Sequence, residues 1–219
     1  MTSAASESRD VSKNAQTTLG ILNAIEFSDQ PTQRSLANRL GIALGLTNAV
    51  IKRCIRKGYL KVQEAPAKRY AYYITPRGFQ EKSRLTAQYL FASLDFFRKA
   101  KGEYSAIADY CEERGWMNTV LIGATELAEI AYLSGTDKGI TFRAVIDQEK
   151  NAAQFCGMPV VNDIRSVIDE IDAVILTSTA DSQILFDELC SILPKDRVLA
   201  PNILHISQSP VAERATADQ

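Results

Sequence analysis

The chain has 219 residues, 46% hydrophobic and 23% charged, with a formal net charge of −1. That length allows two domains, and no apolar run approaches the ~20 residues a membrane-spanning helix needs. The near-neutral total conceals a split, because residues 1–115 carry 18 basic against 11 acidic side chains and residues 116–219 carry 7 against 15. A basic front half suits a polyanionic partner and an acidic rear half does not. Cys54, Cys111, Cys156 and Cys190 are scattered and form no CxxC pair, and His205 is the single histidine. No sequence-local zinc cluster is expected, and the cysteines read as small hydrophobes in a reducing compartment, with Cys156 beside Gly157 the least sheltered.

Residues 1–15 are small and polar and contain no apolar h-region. They read as a flexible arm instead of a signal peptide, which points to the cytoplasm. Residues 16–75 then fit a winged helix-turn-helix. A first helix over Thr17 to Phe27 buries Ile21, Leu22 and Ile25 in one stripe. Pro31 closes the connection, and Thr32 is the expected N-cap of a second helix that runs to Leu40 with Leu36, Ala37 and Leu40 inward. Gly41 makes the turn into a third helix from about Leu44 to Lys57. The spacing of Leu46, Val50 and Cys54 predicts its core side, leaving Gly45, Thr47, Asn48, Ile51 and Lys52 on the opposite face.

That face has the makings of a major-groove reader. Small residues let the backbone approach the duplex, Asn48 is able to bond adenine through both amide atoms, and Lys52 reaches a guanine edge or a phosphate. Between Thr32 and Arg84 there are twelve Lys and Arg and only two acids, Glu64 and Glu81. A solvated surface normally mixes signs, so this clustering is read as a nucleic-acid footprint. The strands Tyr59 to Gln63 and Arg69 to Ile74 flank a basic hairpin tip, where Lys68 and Arg69 would lie along phosphates or enter the minor groove. The predicted DNA-binding set is Thr32, Arg34, Ser35, Gly45, Thr47, Asn48, Lys52, Arg53, Arg56, Lys68 and Arg69.

Thr75 and Pro76 read as N-cap and first turn of a long helix to about Lys101, with a second from Glu103 to Arg114, so that residues 76–115 form connecting helices. Phe79, Leu85, Tyr89, Leu90, Leu94 and Phe97 exceed the needs of one small winged domain. Pairing of two copies is the expected use, which gives a homodimer or a tetramer.

The run SLANRLGIALGLTNAVIKRCIRKGYLKV, followed by RYAYYITPRGFQEKSRLTAQYL, resembles the small MarR-type winged-helix regulators associated with exopolysaccharide synthesis. The resemblance spans about residues 18–100 and implies a transcription factor acting near polysaccharide genes.

From Trp116 the pattern changes to alternating strands and helices, the signature of a parallel sheet, over residues 116–206. Strands are expected at MNTVLI, Thr141 to Ile146, Pro159 to Val161, Ala173 to Leu176 and Arg197 to Leu199, and helices around Ile164 to Ile171 and Ser182 to Leu193. Residues 207–219 read as a flexible tail. The first strand leads into Gly123, Ala124, Thr125, Glu126, Leu127 and Ala128, where a dinucleotide site would carry G-x-G-x-x-G. Thr125 stands at the middle glycine, and Glu126 brings negative charge to the helix N-terminus where phosphate would bind, so a side chain instead of a ligand is able to cap that helix. Asp147 follows the second strand, where an acid holds a ribose diol or caps the next turn. Thr177, Ser178 and Thr179 end the following strand at the edge where ligands of such sheets bind. The candidate ligand set is therefore Gly123, Thr125, Glu126, Asp147, Thr177, Ser178 and Thr179.

This half resembles Rossmann-like domains that bind NAD or a nucleotide sugar, among them the cofactor domain of Rex-type redox-sensing repressors and the front domain of sugar acetyltransferases. The resemblance implies a nucleotide, NAD or a nucleotide sugar as ligand. No catalytic acid and base pair is recognised, and neither a catalytic nor a metal residue is expected. The expected fold is α/β, an N-terminal winged helix-turn-helix joined by long helices to a C-terminal Rossmann-like parallel sheet. Three functions remain open at this point. One is a dimeric regulator binding double-stranded DNA, its rear domain sensing a small-molecule effector. The second is a sugar-nucleotide enzyme with a winged-helix docking module, and the third a rear domain kept only for oligomerisation.

Overall fold

The computed structural model describes residues 3–28, 31–65, 69–150 and 152–207, with side chains from residue 13 onward except those of 64, 65 and 69. The chain divides into two compact units, residues 1–94 and 95–219.

In the first unit, α1 (Ser3–Glu26), α2 (Gln33–Leu40) and α3 (Leu44–Arg56) precede the hairpin of β1 (Leu60–Ala65) and β2 (Arg69–Ile74). Residues 3–15, expected as a flexible arm, are the first turns of α1. The α2 N-terminus is closed by a capping box, in which Thr32 Oγ1 accepts from the Ser35 amide at 3.1 Å and Ser35 Oγ accepts from the Thr32 amide at 3.0 Å. Gly41 ends the helix in the left-handed region at φ 61°, where a side chain would be strained. The turn throws α3 across α2, and Ile21, Leu22, Ile25, Leu36, Val50, Ile51, Cys54, Leu60 and Tyr72 make one core. Gln33 Nε2 donates to Tyr72 Oη at 2.7 Å and ties α2 to the wing.

The helix α4 (Pro76–Arg114) is unbroken, although Gly102 suggested two helices. Nothing crowds Gly102, so its low helix propensity, about 1 kcal/mol, is the whole cost and the flanking turns carry it. Thr75 Oγ1 accepts from the Gly78 amide at 3.0 Å and donates to the Gly58 carbonyl at 2.6 Å, which caps α4 and pins it to the base of the wing.

The second unit holds a six-stranded sheet in the order β5 (Gln154–Phe155), β6 (Met158–Val161), β4 (Thr141–Ile146), β3 (Asn118–Ile122), β7 (Ala173–Leu176), β8 (Val198–Leu199). All neighbours are parallel except β5, which pairs antiparallel with β6. The chain leaves β3 toward β4 and β6 on one side, then crosses to β7 and β8 on the other. This doubly wound order is Rossmann-like, with its switch point between β3 and β7. The residues Tyr104, Ile107 and Cys111 of α4 pack on one face with α5 (Glu126–Thr136). On the other face α6 (Ser182–Ile192) packs with Ile164 and Ile171. The helix expected over Ile164 to Ile171 is two short 3-10 turns, because Asp163 caps the first at the Arg165 amide and Val167 leaves helical geometry at ψ 2°. Buried Tyr104 donates from Oη to the Leu176 carbonyl at 2.9 Å, and burial pushes its phenol well above the ordinary range. Residues 208–219, most of the expected tail, lie outside the described residues.

Candidate functional site

The outward face of α3 is rotated from the expected one. Thr47, Val50, Ile51 and Cys54 are buried at the spacing i, i+3, i+4, i+7, whereas Leu46 is 44% exposed. Thr47 is therefore a core residue and not a surface one. Its hydroxyl donates to the Ala43 carbonyl at 3.2 Å, so a polar side chain enters the core with its hydrogen bond made. Opposite that stripe lie Gly45, Ala49, Lys52 and Arg56, all exposed and one turn apart. Gly45 and Ala49 leave the backbone open to close approach, and Lys52 and Arg56 reach outward beyond them. Ala49 was missed by the sequence reading, but the stripe 47, 50, 51, 54 was the signal that places it.

Asn48 sits at the flank, with Oδ1 buried and lacking a hydrogen-bond partner among the described residues. In that conformation the amide oxygen is turned from solvent, so a two-point contact with adenine requires the side chain to rotate. Arg53 lies on the other flank and donates to Asn14 Oδ1 at 3.2 Å and to Thr18 Oγ1 at 3.3 Å, holding α3 against α1. Thr32 and Ser35 are exposed but engaged in the capping box, while Arg34 beside them is exposed. Arg34, Lys52 and Arg56 form no ion pair among the described residues, in contrast to Lys82 with Glu26 and Arg84 with Glu81. Unpaired cations over an apolar core are available to phosphate. Lys68 lies outside the described residues, and Arg69 opens β2 opposite Ala65.

The carboxyl edge of the sheet brings most of the second candidate set together. Gly123 turns at φ 100°, and a methyl group there would lie 2.9 Å from the Ser178 backbone nitrogen, so only glycine fits. Thr125 caps α5, accepting from the Leu127 amide at 3.2 Å and donating to the Thr177 carbonyl at 2.6 Å. Thr177 is fully buried and its hydroxyl lies 2.8 Å from the Ile122 carbonyl and 2.6 Å from that of Gly123. Asp147 accepts from the Ala124 amide at 2.8 Å through one oxygen and from the Glu149 and Lys150 amides, both at 3.0 Å, through the other. Burial alone would raise the Asp147 carboxyl, but these three amides and the Lys150 charge outweigh it and hold the group below its ordinary value. Ser178 donates to the Ala180 carbonyl at 3.1 Å, and Glu126 and Thr179 are exposed. Among the described residues no group of three or more His, Cys, Asp or Glu is placed to hold a metal.

Fold and charged face together define the first unit as a winged helix-turn-helix of the DNA-binding kind. A family model described as winged helix-turn-helix DNA-binding matches residues 15–61, which run from α1 to the start of β1. No curated protein matches the chain in sequence. Among solved structures, the chain is similar to the PcaV transcriptional regulator from Streptomyces coelicolor in complex with its natural ligand. That match is 23% identical, covers 37% of this chain and 59% of PcaV, and has a TM-score of 0.35. The MarR family transcription regulator SP03579 matches at 20% identity over 41% of this chain and 64% of that one, with a TM-score of 0.35. RSP, a Rex-family repressor, matches at 14% identity over 86% and 77%, with a TM-score of 0.31. The chain thus spans about three fifths of PcaV's length. Among the described residues no helix is long and apolar enough to cross a membrane.

Proposed function

We propose that the protein is a homodimeric, sequence-specific transcription regulator that reads double-stranded DNA with α3 and grips the flanking phosphates with Arg34 and the basic wing. The observation that carries this reading is the outward stripe Gly45, Ala49, Lys52, Arg56, which is flat at one end, cationic at the other and free of ion pairs among the described residues. A helix of that composition suits the major groove. The resemblance of residues 18–100 to exopolysaccharide-associated regulators makes polysaccharide genes the first place to look for its sites.

The dimer rests on α4. Tyr89, Leu90, Phe91, Leu94, Phe96 and Phe97 are 40–68% exposed within nine residues of one helix. Monomeric soluble proteins rarely leave so much apolar surface in one place. A second copy of the same helix, related by a two-fold axis, covers it and presents two α3 helices to a two-fold-symmetric site. The rear sheet serves as the oligomerisation or effector body, without catalysis, since the Thr125, Thr177 and Ser178 hydroxyls and the Asp147 carboxylate are engaged with the chain around them.

Selection of genomic fragments with the purified full-length protein, repeated with a Lys52→Ala, Arg56→Ala variant, tests the reading. It predicts an enriched palindromic site whose enrichment collapses in the variant. Retention without any enriched sequence overturns it.

A further inference from the structure

We infer that the carboxyl edge of the rear sheet is closed by its own side chains, and that this Rossmann-like unit takes neither a dinucleotide nor a nucleotide sugar there. A dinucleotide lies with its pyrophosphate over the glycine turn, at the crevice where the strand order reverses, and with a ribose on the acid after the second strand. Each of those positions is occupied by the protein.

The crevice lies between the ends of β3 and β7, and its two walls are bonded to each other. The Thr177 and Ser178 amides donate to the Ile122 carbonyl at 2.9 and 2.8 Å. From one side the Thr177 hydroxyl lies 2.6 Å from the Gly123 carbonyl, and from the other Thr125 Oγ1 donates to the Thr177 carbonyl at 2.6 Å. The turn at Gly123 also lies so near Ser178 that even a methyl group would not enter. The amide bonds extend the β3–β7 pairing past the strand ends, and the Thr125 and Thr177 hydroxyls that a ligand would otherwise meet are spent on the chain.

The anion is supplied as well. One oxygen of Asp147 accepts from the Ala124 amide in the phosphate loop, and the ammonium of Lys150 donates to the carbonyl of the same residue at 2.7 Å while lying 4.3 Å from the Phe155 ring centroid. The acid that would bond a ribose is thus folded back onto the loop with both oxygens engaged. A bound phosphate would meet this carboxylate and that of Glu126 with like charge. Asp147 stands where a ligand's phosphate would, and the loop is held in the conformation of a filled site.

This inference is independent of the DNA-binding reading. It is tested by titrating the full-length protein with NAD+, NADH and UDP-glucose in a calorimeter, alongside hydrogen exchange at the Ala124–Leu127 amides. No saturable heat is expected from any of the three. In Asp147→Asn, exchange at Ala124 is expected to quicken at least about tenfold, as loss of a bond to a charged partner requires. Saturable binding of any of these nucleotides that slows exchange at Ala124–Leu127 would overturn the inference, and this arm needs only the unmodified protein. Unchanged exchange at Ala124 in a folded Asp147→Asn variant would overturn it too.

Discussion

Replacing Gly78 with alanine tests how the wing is seated on α4. Gly78 lies in the first turn of that helix, and a methyl group there would lie 2.8 Å from Ile74 Cγ2 and 3.0 Å from the Tyr59 carbonyl carbon, closer still to the carbonyl oxygen. The Ile74 methyl is able to rotate away, but Tyr59 is backbone at the start of the wing, and its amide and carbonyl are already committed to Cys54 and Thr75. Relief therefore means moving α4 away from the hairpin. Overpacking costs about 1–3 kcal/mol, and a backbone obstruction puts this case near 3. Alanine returns about 1 kcal/mol of helix propensity, leaving a net loss of about 2 kcal/mol. At about 4–8 °C per kcal/mol for a unit of this size, the melting of the first unit should fall by about 8–16 °C in scanning calorimetry of the full chain. The same variant should bind duplex DNA more weakly, because the wing no longer has its seat. A melting temperature within about a degree of the unmodified protein would refute the packing argument.

Gly45→Ala separates stability from recognition. Nothing lies within 4 Å of a methyl group there, so melting should hold or rise slightly, yet operator affinity should drop because the methyl stands between helix and duplex; unchanged affinity would remove Gly45 from the interface. Removing the α2 cap with Thr32→Ala should cost about 1 kcal/mol, read by chemical denaturation, since the Ser35 amide loses the hydroxyl it donates to while the backbone half of the capping box stays. Leu90→Glu with Leu94→Glu should convert a dimer into monomers by light scattering and weaken operator binding, while a dimer that survives both changes places the interface elsewhere. Asp147 is held below its ordinary value of 3.8, so its stabilising contribution is complete above that pH and is lost as pH falls through the lower folded value. The difference in melting temperature between the unmodified protein and Asp147→Asn should accordingly be present at neutral pH and shrink in strong acid. Among the thiols, burial pushes Cys54 up to about 11 and Cys111 up to about 12, so a thiol reagent at neutral pH should label exposed Cys156 first and these two only on unfolding.

The elements of both units were legible because their periodicities are strong. Thr32, Gly41 and Thr75 announced their caps and turns, and β4 and β7 follow the expected strands residue for residue. The faces were harder to read. In α3 both 46, 50, 54 and 47, 50, 51, 54 are helical stripes, and only contact with α1, α2 and the wing decides between them. A leucine invites burial more than a threonine does, but the Ala43 carbonyl gives Thr47 a partner and the solvent face keeps Leu46. Arg53 could not be told from a phosphate contact by its type, since Asn14 and Thr18 reach it from 35 residues or more away in sequence. At the sheet edge, Thr125 and Glu126 already argued against a phosphate. That Asp147 turns back onto Ala124 depends on how the loops after β3 and β4 meet, which no local pattern reports.

The central claim is that α3 reads sequence. Its most direct measurement is the ratio of affinities for a selected site and for a scrambled duplex of equal length, at one physiological salt concentration, for the unmodified protein and for Lys52→Ala, Arg56→Ala. The account predicts a ratio of about a thousandfold or more that falls steeply in the variant. A ratio within about tenfold, with affinity governed by salt alone, would contradict it and leave a non-specific DNA binder.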